Sequence, residues 1–186
     1  MKITSVRHGE TEENVRQIIQ GQFPGTLSTR GKQQALDLGK KLASETFDYI
    51  YSSDLQRCVD TTEAIIAHHQ GAPINYAQAL REQDQRGYEG QPWDSIPWAT
   101  FAGTTLSRKV PGGESWLDIR ARLVAFFNQL YEAHPRANVL LVMHGGTLRV
   151  AESLFTDQTL EETVEHDIDN CSIWHWEMNS PLEARI

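Results

Sequence analysis

Two histidines in this chain stand directly after apolar stretches and directly before glycine. Arg7-His8-Gly9 follows the stretch from Ile3 to Val6, and His144-Gly145-Gly146 follows the run from Val139 to Met143. Glycine after such a histidine lets a ligand approach the backbone closely. Ser52, Ser53 and Arg57 follow a second predicted strand, and Glu82 stands a few residues past a third. Guanidinium groups match phosphate oxygens as a fork, imidazole serves as nucleophile, acid or donor, and a carboxyl group can exchange a proton with a leaving oxygen. Two arginines, two histidines and one carboxylate are together the parts for phosphoryl transfer without a metal or other cofactor.

Each of these residues alone has a blander reading. Arg57 would be an ordinary helix-surface residue and Glu82 an ordinary loop carboxylate, and a lone histidine after a strand is more often structural. Arg7 beside His8 reverses that reading, because adjacent cations repel unless an anion or carboxylate joins them. His68 and His69 read as a solvated helix end, favourable to the helix dipole, and His134, His166 and His175 as surface or packing residues. No His, Cys and carboxylate grouping has zinc-ligand spacing.

Positioning these groups requires strands that end at one edge of a sheet. Residues 2–6, 47–51, 73–76 and 138–143 read as strands, the last a continuous apolar run of the kind buried on both faces. Residues 171–178 alternate as a final strand that puts Trp174, Trp176 and Met178 on one side. Between them, residues 12–18 are partly helical, and Ser28 caps a helix to about Ser44. Ser53-Asp54-Leu55-Gln56 matches a capping box opening a helix to about His69. Ser115 starts a helix with Ile119, Leu123, Phe126, Phe127 and Leu130 as its buried stripe, and residues 147–155 are helical. Strand and helix alternate, so the class is α/β with a largely parallel sheet, whose ligand crevice lies beyond the carboxyl ends of the strands.

At 186 residues the chain is expected to form one domain over 1–186, with residues 83–114 as an irregular cover over the site. The net charge of −8 excludes a generic nucleic-acid binder, and an anionic substrate then needs a locally positive pocket on an acidic body. Charge at Lys2 and Arg7 argues against a signal peptide, and no run reaches membrane-spanning length. Cys58 and Cys171 read as two reduced thiols, and the expected location is the cytoplasm. The aromatic face around Trp174 and Trp176 is either core or the surface of a homodimer.

Arg7-His8-Gly9-Glu10-Thr11, with Asn14 beyond, resembles the signature of the histidine phosphatase superfamily, the phosphoglycerate-mutase-like proteins. The resemblance continues in order through Gln20-Gly21, Leu27-Ser28, Gly31, Gln34-Ala35 and Ser52-Ser53-Asp54-Leu55-Gln56-Arg57 with Thr61. It then takes in Leu80-Arg81-Glu82, Tyr88-Glu89-Gly90, Pro111-Gly112-Gly113-Glu114-Ser115 and His144-Gly145-Gly146. It implies a three-layer α/β/α sandwich with a mostly parallel central sheet, and a phosphomonoester hydrolase acting through phospho-His8. In that mechanism Arg7, Arg57 and His144 bind phosphoryl oxygens, and Asn14, Gln20, Gly21 and Gly145 complete the phosphate and substrate contacts. Glu82 protonates the leaving oxygen and then serves as base toward water.

Length and the Pro-Gly-Gly-Glu-Ser element look most like the small branch of broad-specificity and α-ribazole phosphatases, whose substrates are small phosphorylated metabolites. Phe23-Pro24-Gly25-Thr26 and Arg86 depart from the usual pattern on loops expected to border the pocket, so no relative's substrate is carried over. Two alternatives stand beside hydrolysis. A phosphoglycerate mutase of this superfamily carries a longer insertion between the acid and the second histidine, where this chain has only residues 83–114 as cover. A silent phosphate-binding member has no need of Glu82. The aromatics Trp93, Trp98 and Phe101 either stack on the leaving group or pack the cover onto the body.

Overall fold

The computed structural model describes residues 1–69 and 71–183; residue 70 and the last three positions of the expected 1–186 unit lie outside the described residues. Strands β1 (Lys2–Arg7), β2 (Tyr49–Ser52), β3 (Ile74–Tyr76), β4 (Asn138–Met143) and β5 (Ile173–Glu177) form one sheet in the order β3-β2-β4-β1-β5. The first four run parallel, and β5 joins β1 antiparallel. The helices are α1 (Glu12–Val15), α2 (Thr29–Leu42), α3 (Gln56–Ile66), α4 (Trp116–Ala133), α5 (Gly145–Phe155) and α6 (Leu160–Thr163).

Strand β4 shows why the sheet is central. Its side chains alternate between faces: Leu140 and Val142 pack with Leu38 and Leu42 of α2 and Ile65 of α3. Val139, Leu141 and Met143 pack with Ile119, Leu123 and Phe127 of α4 and Leu148 of α5. An apolar strand with helices on both faces makes the three-layer α/β/α sandwich. Trp176 and Met178 are buried in the α4–α5 core, Trp174 packs against it, and Trp176 stacks on Phe155 at 5.3 Å. The aromatic face is therefore core.

Connectivity places the crevice. After β1 the chain leads through α2, on one face, toward β2; after β4 it leads through α5, on the other face, toward β5. Adjacent strands whose connections leave in opposite directions open a crevice at their carboxyl ends. Arg7 and Met143 are paired across it, so His8 and His144 are the next residues on either side.

Several boundaries differ from expectation. Helix α3 starts at Gln56 with Leu55 as its N-cap and no side-chain cap. Ser53 does not cap it: its Oγ accepts the N–H of the N-cap residue Leu55 at 3.3 Å, short of the first turn, and also lies 2.8 Å from His144 Nε2. Its last turn is also shorter than expected: His68 is exposed after the helix, and His69 lies against Phe47 at 5.0 Å. Ser28 and Ser115 do cap α2 and α4, the latter in a full capping box with Asp118. Residues 83–114 contain only 3₁₀ turns, at Trp93–Ser95 and Trp98–Thr100, and their Ile96 and Val110 form a small cluster with Ile19 of the loop between α1 and α2. Among the described residues, no helix is long and apolar enough to cross a membrane.

Candidate active site

The loop after β1 presents His8, and it is held from three sides. Thr61 Oγ1 on α3 accepts the Gly9 N–H at 3.1 Å, and Gln34 Oε1 on α2 accepts the Glu10 N–H at 2.9 Å. Ser28 Oγ donates to the Glu10 carboxylate at 2.8 Å. Backbone meets backbone between the loop and α2: a Cβ on Gly31 would lie 1.9 Å from the Glu10 carbonyl oxygen. These contacts account for Ser28, Gly31, Gln34 and Thr61 as supports of the His8 loop rather than groups that meet a ligand.

His8 Nδ1 lies 2.7 Å from its neighbour Gly9's carbonyl oxygen. A carbonyl only accepts, so Nδ1 carries the proton and Nε2 holds the lone pair. Arg57 Nε–H donates to that Nε2 at 3.3 Å and to His144 Nδ1 at 3.1 Å. Both rings must therefore be neutral to offer lone pairs to one guanidinium. His144 Nε2 is then the donor to Ser53 Oγ at 2.8 Å. Electrostatics agree with this geometry. Burial first, then Arg57 and Arg7, holds His8 well below the ordinary imidazole range; burial, Arg57 and His8 do the same for His144.

Arg57 is 1% exposed, and both of its Nη atoms donate to a collar of carbonyls. Nη1 donates to Phe23 O at 2.5 Å and Pro24 O at 3.3 Å, and Nη2 to Gly21 O at 2.9 Å. Gly21 and Gly25 both have positive φ (46° and 70°), which bends the loop around this side chain. Phe23-Pro24-Gly25 is thus the seat of Arg57 and not a lining of the cleft. Arg86, likewise expected at the border, is exposed and pairs with Asp84 at 3.5 Å.

A cleft of about 880 Å³ opens over these groups. Arg7, His8, Arg57 and Glu82 line it, as do Asn14, Gln20, Gly21 and Gly145. His144 stands behind the wall, fully buried, its ring centroid 5.2 Å from that of His8. Arg7 donates through Nη1 to the Ile168 carbonyl, while its buried Nε has no partner among the described residues. Gln20 Oε1 is also buried without a partner. Asn14 Oδ1 accepts the Thr11 N–H at 3.1 Å, which leaves its amide nitrogen as a donor. Glu82 rests on the first turn of α5. Its Oε2 accepts the Gly146 N–H at 3.0 Å, and its Oε1 accepts the Gln83 N–H at 2.8 Å.

The cleft also holds residues the sequence did not single out for the site: Arg149, Asp167, Asp169 and Trp116. Arg149 sits one turn after Gly145, so its side chain runs back toward the start of α5. Its Nη1 comes within 3.9 Å of where a Gly145 Cβ would be. The 3.6-residue spacing was the available signal, and it counts only once the helix start is known to face the crevice. Arg7, Arg57, Arg108 and Arg149 against Glu82, Asp167 and Asp169 make the lining locally cationic on a chain of net charge −8. Trp93 and Trp98 both line the cleft, Trp93 at 53% exposure, while Trp98 also packs with Phe101 against the cluster of Ile19, Ile96 and Val110. Cys58 lies 3.4 Å from His144 Nε2, but burial pushes its thiol up to about 12 and leaves it protonated. Among the described residues, no group of three or more His, Cys, Asp or Glu could hold a metal ion.

Comparison with known proteins agrees with this geometry. The chain is 33% identical over 179 residues to the probable phosphoglycerate mutase GpmB of Salmonella choleraesuis (strain SC-B67), spanning 93% of this chain and 83% of that protein. Bacillus stearothermophilus YhfR superposes with a TM-score of 0.82 at 25% identity, over 97% of this chain and 93% of that one. A mycobacterial glucosyl-3-phosphoglycerate phosphatase in complex with VO3 gives a TM-score of 0.82 at 25% identity, over 94% and 90% of the two chains. The α-ribazole phosphatase of Shigella flexneri shares the fold at a TM-score of 0.86 and 23% identity, over 98% and 93%. The model of the histidine phosphatase superfamily (branch 1) matches residues 3–181, and the chain belongs to that superfamily.

Proposed function

We propose that this protein is a cytoplasmic phosphomonoester hydrolase that acts on a small phosphorylated metabolite through a phosphohistidine at His8. The observation that carries the reading is the state of His8. Its proton is committed to the Gly9 carbonyl, so Nε2 keeps a lone pair beside a guanidinium at the cleft wall. In this reading Nε2 attacks phosphorus in line, forming the N–P bond as the P–O ester bond breaks. The leaving oxygen takes its proton from Glu82. Water then attacks phospho-His8 and gives a proton to the Glu82 carboxylate, the N–P bond breaks, and inorganic phosphate is released. Arg7 and Arg57 spread the charge that shifts onto phosphoryl oxygens; His144, expected from the sequence to bind those oxygens as well, is in this reading held behind the cleft wall and orients Arg57 through Nδ1. Asn14, Gln20, Gly21 and Gly145 supply further polar contacts to the phosphate or substrate.

The test is phosphate release, in EDTA, from sugar phosphates, nucleotides, phosphoglycerates and α-ribazole phosphate, with His8→Ala in parallel. Release that EDTA leaves unchanged, and that falls at least about a hundredfold in His8→Ala, is expected. Substantial turnover by His8→Ala overturns the nucleophile. The name of the curated relative favours one second reading, transfer of the same phosphoryl group to a phosphoglycerate. Given 3-phosphoglycerate with 2,3-bisphosphoglycerate, a hydrolase yields inorganic phosphate, and a mutase yields 2-phosphoglycerate.

A further inference from the structure

Among the described residues the Glu82 carboxylate has two backbone N–H partners and no side-chain hydrogen-bond partner, and it stands on a segment without helix or strand from Arg81 to Pro92. Its position therefore depends on what holds that backbone. Arg122, in the second turn of α4, does so. Its Nη1 donates to Ala79 O at 2.7 Å, and its Nη2 to Arg81 O at 2.7 Å and Glu82 O at 3.3 Å. The guanidinium thus grips the carbonyls on both sides of the Glu82 residue.

The fork that aims this guanidinium is Glu114. It receives Nε at Oε1 (2.8 Å) and Nη2 at Oε2 (3.1 Å), both side chains being about four-fifths buried. Glu114 also holds the segment beyond Glu82 directly. Its Oε2 accepts the Asp84 N–H at 3.0 Å, its own N–H donates to Asp84 O at 2.9 Å, and its carbonyl accepts Gln83 Nε2 at 2.8 Å. Gly113 makes that approach possible, since a Cβ there would lie 2.4 Å from Asp84 O. Ser115 then caps α4, the helix that carries Arg122. Pro111-Gly112-Gly113-Glu114-Ser115 is in this light a buckle between α4 and the Glu82 segment.

We propose that Arg122, aimed by Glu114, is a positioning residue that sets the Glu82 carboxylate over the leaving-group oxygen. The inference rests on the reading of Glu82 as the acid. Lysine at 122 keeps the charge but cannot fork two carboxylate oxygens and reach three carbonyls. Misplacement of an acid by an ångström costs most where the leaving group needs its proton most.

The experiment compares kcat/KM for phenyl phosphate with that for 2,4-dinitrophenyl phosphate in wild type, Arg122→Lys, Glu114→Gln, Glu82→Gln and the Glu82→Gln/Arg122→Lys double variant. Each ratio is taken within one preparation, so an inactive fraction cancels. We expect the phenyl-to-dinitrophenyl ratio to fall roughly 10- to 100-fold in Arg122→Lys and Glu114→Gln. With Glu82 already replaced, Arg122→Lys should change the ratio by no more than about twofold. A ratio unmoved in both positioning variants, with Glu82→Gln selective, overturns the clamp alone. Glu82→Gln without leaving-group selectivity overturns the acid assignment and the clamp with it.

Discussion

The proton on His8 Nδ1 is committed by a single carbonyl, Gly9 O, and that commitment has a measurable consequence. Burial with Arg57 and Arg7 nearby disfavours the imidazolium, so the neutral ring persists below the ordinary imidazole range. An unperturbed histidine would lose about tenfold in its neutral form between pH 7.5 and 5.5. We expect kcat/KM for 2,4-dinitrophenyl phosphate to stay level over that interval; a tenfold fall centred near pH 6.5 would refute the depressed His8. Gly146 gives a second prediction at this scale. A Cβ there would sit 2.1 Å from Glu82 Oε1, the end of a movable side chain rather than backbone. Gly146→Ala should therefore leave the melting temperature within a few degrees while displacing the carboxylate. The expected loss for phenyl phosphate is about tenfold or more, read against the dinitrophenyl ester, and an unchanged ratio would show that Glu82 tolerates the methyl.

Five element ends bring the site together, and they are held by different means. β1 and β4 are locked by pairing, Arg7 against Met143. The start of α3 brings Arg57 inward, and the collar of carbonyls from Gly21 to Pro24 keeps it there. The start of α5 receives Glu82, and the first turn of α2 presses on the His8 loop. The last contact is the least forgiving. A methyl on Gly31 would meet the Glu10 carbonyl carbon at 2.8 Å and its oxygen at 1.9 Å, both backbone atoms. Alanine favours helix over glycine by about 1 kcal/mol, yet Gly31→Ala should destabilise by about 1–3 kcal/mol because neither backbone can yield. Thermal unfolding checks this, and an increase in melting temperature would mean that α2 can slide away from the loop.

For the whole molecule, two neutral histidines buried in one acidic chain link stability to pH. Below about pH 6.5 the unfolded chain binds protons at positions 8 and 144 that the native state refuses. Stability contributed by these residues is therefore complete above that pH and falls as pH drops through the window beneath it. Each residue removes up to ~1.4 kcal/mol per pH unit. Half-buried His69, also lowered by burial, acts in the same direction. Between pH 7.5 and 5.5 the urea midpoint should drop by the equivalent of about 2–3 kcal/mol; a drop of about half that size would mean that one ring takes up its proton in the native state, and a midpoint independent of pH that both do.

The division between what was legible in the chain and what was not follows the range of the forces involved. The run from Val139 to Met143, the caps at Ser28 and Ser115, and the histidine–glycine pairs at strand ends are local patterns. By themselves they determined the alternation of strand and helix, the central strand, and the crevice edge at which His8, Arg57, Glu82 and His144 meet. Ser53 shows where local reading stops: its spacing suits a cap, but its hydroxyl reaches only the Leu55 N–H and also meets a histidine 91 positions away. Only the tertiary structure decided the tautomers of His8 and His144, the seat of Arg57, the rest of Glu82 on α5, and the grip of Arg122 on Ala79, Arg81 and Glu82. Most of these contacts end on backbone carbonyls or N–H groups, which every residue type shares, so no pattern of side chains along the sequence can announce them.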